Sequence, residues 1–249
     1  MSVREAVCLL SGGLDSATAL YVARRDGYLP AALTIHYGQL HIRELESAAK
    51  IAKHLGIQHE VISIELPWGG SALLDPKIPI PENRTQDEIS TGIPPTYVPA
   101  RNTVFLSLAA SFAEARGSEA IFIGANALDF SGYPDCRPEY LEAFSAMIEC
   151  GTKAGQEGRA IKVTAPLLRM DKKEIILLGR SLGVPFENTW SCYQGRENPC
   201  QVCDSCLLRA KGFREAGFED PILSSLRGSE ATEAISEPGL LRRPSASSQ

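Results

Sequence analysis

No stretch of this chain approaches the apolar length that a membrane-spanning helix needs, and the first residues carry no signal-peptide pattern. A cytoplasmic protein without a membrane partner is the expectation. Positive charge is also scarce. The 25 Lys and Arg stand against 30 Asp and Glu, giving a net charge of −5 and a pI of about 5.5. That argues against a broad basic face, so direct nucleic-acid binding is not expected. All four histidines, His36, His41, His54 and His59, fall in the first quarter, which leaves a Cys-His-Asp hydrolase poorly supported. No internal repeat is visible. No GxxxxGK[ST] occurs either, so no lysine waits for the β- and γ-phosphates as in a Walker loop.

What is present begins at residue 6. Ala6-Val7-Cys8-Leu9-Leu10 reads as a short buried strand, with Cys8 in the core. Ser11-Gly12-Gly13-Leu14-Asp15-Ser16 follows, and a periodic helical segment runs over 14–25. Strand, glycine turn and helix start together cradle phosphates. Glycines let the backbone approach an anion, and free N–H groups at the helix start point at it. The expected nucleotide contacts are Leu10, Ser11, Gly12, Gly13, Leu14, Asp15, Ser16, Ala17, Thr18, Ala19 and Leu20.

Further along, strands are expected over 31–37, 59–64, 120–124 and 161–164. Helices are expected over 42–55, stopped by Gly56, and over 171–182, started by Asp171 as N-cap. Residues 102–115 are apolar almost all round, which predicts a buried helix. Cys150 reads as helical. Residues 66–99 hold seven prolines and little periodicity, the mark of a functional loop, a lid or a disordered insertion. The alternation predicts an α/β fold: a mostly parallel five-stranded sheet with helices on both faces. Ligands bind such sheets beyond the carboxyl ends of the strands, so loops 11–16, 37–41 and 129–137 should converge on one crevice. Residues 1–185 read as the nucleotide-binding α/β domain, 186–220 as a small four-cysteine region, and 221–249 as a flexible polar tail.

Cys192, Cys200, Cys203 and Cys206 form C-x7-C-x2-C-x2-C. Four thiolates within 15 residues can close a tetrahedral zinc site with no open position, which makes it structural. An iron–sulfur centre is the competing reading, because C-x2-C-x2-C also occurs in cluster-binding runs. A helix should follow over 207–213.

Three other segments stand out. Tyr37-Gly38-Gln39 ends the second strand and leads to His41 and Glu44. Arg101 and Asn102 open the apolar helix and could hold an anionic or purine-like ligand. Asp129-Phe130-Ser131-Gly132-Tyr133-Pro134-Asp135-Cys136-Arg137 packs an aromatic, two acids, a thiol and a base into one loop, more than a turn requires.

The SGGLDS loop resembles the PP-loop of the N-type ATP pyrophosphatases, an adenine-nucleotide α-hydrolase-like fold. Together with YGQ and His41, YVPARN, SGYPDC, and TWSCY followed by the cysteine run, the chain resembles the 7-cyano-7-deazaguanine synthase family from Cys8 to about Arg209. It departs at Leu40, where the family usually has arginine, and at Gln201, where it usually has glycine.

The resemblance implies ATP-dependent conversion of 7-carboxy-7-deazaguanine and ammonia to the nitrile, through adenylated acid and amide, in queuosine biosynthesis. Ser11, Gly12, Gly13 and Ser16 would hold the phosphates, Asp15 the Mg²⁺ that accompanies ATP, and Arg101 the developing charge. Asp15, Ser16 and Arg101 are thus the catalytic candidates. Tyr133, Asp135 and Arg137 are candidates for substrate contacts. No glutaminase is visible, and residue 2 is serine rather than a nucleophilic cysteine, so ammonia should come from solution or a partner. A homodimer is the expected assembly. The rival readings are a PP-loop tRNA thiolase with Cys136 carrying sulfur, a ligase for a related carboxylate, and a zinc-knuckle RNA-binding protein.

Overall fold

The computed structural model of the chain describes residues 3–127 and 132–224. Asp129, Phe130 and Ser131 of the SGYPDC loop, and 225–249 of the expected tail, lie outside the described residues. Residues 221–224 continue the ordered chain as a helical turn.

The first strand, β1 (Arg4–Leu9), runs through the middle of a parallel five-stranded sheet. After it come α1 (Leu14–Arg25), β2 (Tyr28–His36), α2 (Arg43–Leu55) and β3 (His59–Ser63). Two more helices follow, α3 (Gln86–Ser90) and α4 (Arg101–Arg116), then β4 (Ala120–Phe122). After β4 come α5 (Pro138–Gly151), α6 (Lys153–Gln156), β5 (Lys162–Thr164), α7 (Lys172–Ser181) and α8 (Asp204–Ala216). The strand order is β3-β2-β1-β4-β5. The chain moves outward from β1 to β3, then crosses back to β4 on the other side. The carboxyl end of β1 is therefore the point where the winding reverses, which leaves a crevice there.

Side chains alternate along β1. Ala6 and Cys8, with Leu10 just beyond the strand, face a core built with α1, α2, α7 and α8. Val7 and Leu9 face a second core built with α4 and α5. Helices thus cover both faces, as the alternating sequence predicts. Gly56 ends α2 in the left-handed conformation, and Asp171 caps α7 through a reciprocal box with Glu174. The helix expected to be buried all round is not. Leu106, Ala109, Ala110 and Ala113 of α4 form one buried stripe, while Ser107 and Ser111 are exposed. Small residues let α4 lie close on the sheet, which leaves its far side in solvent.

The proline-rich 66–99 segment is ordered. Ser71, Ala72, Thr96 and Val98 are buried. Thr85 and Glu88 close a capping box at α3. Its middle is fastened to the cysteine region. Asn83 N donates to Val202 O at 2.8 Å, Glu82 bridges Cys203, and Arg84 pairs with buried Asp204.

Candidate active site and metal centre

At the carboxyl end of β1 the glycine turn closes on itself. Ser11 Oγ lies 3.0 Å from Ser16 Oγ and accepts from Gly13 N at 3.2 Å. Ser16 Oγ accepts from Ser11 N and donates to Gly13 O at 3.0 Å. Gly12 takes φ +92°, and a Cβ there would stand 2.1 Å from the Glu44 carbonyl oxygen. Glycine is needed on both counts, since α2 packs against the turn at this point. Trp190 N donates to Gly12 O at 2.9 Å and so ties the turn to the C-terminal region. Gly124, after β4, admits the start of α1 in the same way; its Cβ would meet Ser16 N at 2.7 Å.

This turn forms one wall of an open cavity of about 230 Å³. Leu10, Ser11, Gly13, Leu14, Asp15 and Ser16 line it. Ala17, Thr18, Ala19 and Leu20 run into the core instead, and Thr18 Oγ1 donates to Leu14 O. Among the described residues near the loop, Lys172 at the first turn of α7 stands out. Its Nζ lies 2.8 Å from both carboxylate oxygens of Asp15, with side-chain exposures of 10% and 19%. The stem of Lys172 fits because Gly212 of α8 has no side chain to block it.

The opposite wall comes from α4 and the loops around it. Arg101 Nη1 donates to Tyr37 Oη at 3.2 Å, and the guanidinium also approaches the rings of Tyr37 and Phe105. Tyr133 lines the cavity, its hydroxyl 3.0 Å from Thr96 Oγ1, with Tyr193 beside it. Burial raises both tyrosine hydroxyls above their ordinary pKa, so they remain protonated hydrogen-bonding groups.

Asp135 does not face this space. It is buried, and its Oδ2 accepts from Asn102 N at 3.0 Å, anchoring the start of α4. Asn102 Nδ2 returns a bond to Asp135 O and reaches Cys136 Sγ at 3.2 Å. Arg137 is exposed at the start of α5. The sequence-derived substrate group is therefore split between a cavity residue, a buried anchor and a surface side chain. Leu40, at the rim, is 48% exposed. His41 and Glu44 line the cavity beside it, and burial lowers the His41 pKa.

The four cysteines of the C-terminal run come together. Their Sγ atoms lie within 4.8 Å of one another. Cys192 Sγ accepts from Gln194 N and Cys200 N, and Cys200 Sγ accepts from Cys203 N. Backbone N–H groups aimed at sulfur stabilise thiolates and fix their direction, so the set can hold a tetrahedral zinc ion. Gln201 sits in this knuckle at φ +62°, a left-handed conformation that favours glycine.

A parallel sheet wound both ways from its first strand, with a serine-closed glycine turn at the crevice and a four-cysteine knuckle, defines a PP-loop-type nucleotide-binding α/β protein. The chain belongs to the family described as queuosine biosynthesis protein QueC, whose model matches residues 5–217. A protein of Trichodesmium erythraeum (strain IMS101) named 7-cyano-7-deazaguanine synthase is 54% identical over 221 residues, 88% of this chain and all of that one. The protein of the same name from Nostoc punctiforme (strain ATCC 29133 / PCC 73102) is 54% identical over 88% of this chain and 99% of that one. Another from Anaeromyxobacter sp. (strain Fw109-5) is 51% identical over 88% of this chain and 96% of its own.

Proposed function

We propose that this protein converts 7-carboxy-7-deazaguanine, ammonia and ATP into 7-cyano-7-deazaguanine. The observation that carries this reading is the match to relatives of that name across nearly their whole length. The chemistry explains why ATP is needed twice. Ammonia does not displace oxide from a carboxylate. Attack of the carboxylate on the α-phosphorus expels pyrophosphate and makes AMP the leaving group. Ammonia then gives the amide. Attack by the amide oxygen on a second ATP gives an imidoyl adenylate, and loss of AMP and the nitrogen-bound proton leaves the nitrile.

In this reading Ser11, Gly12, Gly13 and Ser16 hold the phosphates through backbone N–H groups and hydroxyls. Asp15 meets the Mg²⁺ that enters with ATP, and Lys172 adds positive charge beside it. Arg101 steadies charge that develops on the reacting carboxyl. Tyr133 contacts the deazaguanine. Asp135 contributes by fixing the start of α4, and Arg137, exposed at the start of α5, is left without a contact in the cavity. Zinc on Cys192, Cys200, Cys203 and Cys206 is structural. A homodimer working in the cytoplasm completes the reading. Among the described residues no helix is long and apolar enough to cross a membrane.

A tRNA thiolase would need a reactive sulfur at Cys136, but burial pushes that thiol up to about 12, away from the thiolate form. Mass spectrometry of a reaction with ATP, Mg²⁺, ammonium and 7-carboxy-7-deazaguanine tests the proposal. A nitrile product with release of AMP is expected. An unchanged acid with folded, zinc-replete protein would refute it and shift the reading to a related carboxylate.

A further inference from the structure

The proposed reaction has a proton problem that the phosphate loop and Arg101 do not solve. Near neutral pH the nitrogen donor is ammonium, which has no lone pair for attack. Forming the nitrile also requires a proton to leave the imidoyl nitrogen. A base facing the reacting carbon must accept these protons.

Among the described cavity-lining residues, Asp15 and Glu44 supply the carboxylates. Asp15 is held by Lys172 through both oxygens. The Glu44 carboxylate has no hydrogen-bond partner among the described residues. Its place is fixed by the backbone: the Glu44 carbonyl sits against Gly12, which brings the first turn of α2 to the phosphate loop. Across the cavity lies Arg101, whose charge draws the carboxylate toward ionisation without an ion pair at contact distance. Tyr37 and His41 line the same cavity. Burial is the largest influence, Cys192 adds to it, and together they raise the Glu44 carboxyl to about 7. A general base works best when its pKa lies near the operating pH.

We propose that Glu44 is the carboxylate that receives ammonium in the cavity and accepts the protons released from nitrogen. The proposal rests on the synthase reading above. In the first round Glu44 takes one proton from ammonium and, once the C–N bond described next has formed, a second from the attached nitrogen, which leaves the neutral amide. The freed lone pair forms the C–N bond as the C–O bond to AMP breaks, and AMP leaves with the electron pair. Each proton taken by Glu44 passes to water at the open cavity mouth before the next is accepted. In the second round, attack by the amide oxygen on ATP expels pyrophosphate and leaves two protons on nitrogen; Glu44 takes one to give the neutral imidoyl adenylate, releases it, and then takes the remaining N–H proton. The nitrogen electrons form the third C–N bond as AMP departs again.

The test compares Glu44→Gln with the unaltered protein in three assays. Acid-dependent exchange of pyrophosphate into ATP, without ammonium, reads adenylation. Ammonium-dependent product formation reads the proposed step. Hydroxylamine in place of ammonium supplies a nucleophile that is largely neutral at pH 7. For Glu44→Gln the expected result is continued exchange, an ammonium-dependent rate lowered about 10²-fold or more, and hydroxamate formation close to that of the unaltered protein. Glu44→Asp should recover part of the ammonium-dependent rate. An undiminished ammonium rate in Glu44→Gln would overturn the proposal. So would equal loss with ammonium and hydroxylamine, which marks a role in folding or substrate binding. Absence of exchange in the unaltered protein would strike the synthase reading itself, and this inference with it.

Discussion

Asp220→Ala removes one half of the most enclosed ion pair among the described residues. Arg209 and Asp220 have side-chain exposures of 7% and 6%. The pair is bidentate, Nε to Oδ2 at 2.6 Å and Nη2 to Oδ1 at 2.9 Å. The same guanidinium donates to Thr189 Oγ1, Ser191 Oγ and Phe186 O. It therefore pins α8 to the segment that leads into Trp190 and Cys192. Removing one partner of a buried pair costs about 3–5 kcal/mol, because the other charge stays buried without its counterion. Three bonds to Arg209 survive the substitution, so the lower end, about 3 kcal/mol, is expected. For a chain of this size that lowers Tm by about 6–12 °C. Urea unfolding of zinc-replete protein, followed by tryptophan fluorescence, measures the loss. The double change Arg209→Met with Asp220→Leu should be less damaging than Asp220→Ala, since no uncompensated charge remains. A loss below about 1 kcal/mol would refute the reasoning, placing Asp220 with solvent-exposed pairs.

Four further outcomes follow from the geometry. Gln201→Gly should raise stability by about 0.5–1 kcal/mol in the same assay, because the left-handed strain removed exceeds the added freedom of the unfolded chain. Gly12→Ala should abolish acid-dependent ATP turnover, since its Cβ would displace the Glu44 carbonyl; full turnover would contradict that contact. Cys203→Ser, or zinc chelation, should raise amide exchange both around 192–206 and across 80–89, because Asn83 and Glu82 are hydrogen-bonded to the knuckle. With a neutral-pH alkylating agent and folded protein, exposed Cys150 should be modified before Cys136, whose buried thiol stays protonated; peptide mass mapping reads the order.

The local features of this chain were legible from its residues. The 14–25 helix, the left-handed stop at Gly56 and the Asp171 cap each depend on neighbours a few positions away. The cysteine cluster was equally plain, since its ligands fall within 15 residues. What sequence spacing did not convey depends on distant partners. Lys172 reads as an ordinary first-turn residue, and its meeting with Asp15 spans 157 positions. Asp135 reads as an available acid, but its partner, the Asn102 amide, arrives from a helix start 33 positions earlier. The 66–99 segment has no periodicity to announce its order, because its anchors are Val202, Cys203 and Asp204. For Glu44 the available signal was its position after the YGQ turn, three residues beyond His41.

The bond from Trp190 to Gly12 O carries a consequence for how the protein is made. The glycine turn leaves the ribosome early, whereas the residue that secures its carbonyl is 178 positions behind. At roughly 5–20 residues per second, that interval is about 10–40 s. During it the nascent chain presents the glycine turn without its final brace. The brace arrives together with Cys192, two residues later, so the cavity beside the turn matures on the same clock as the cysteine cluster that can hold a metal ion.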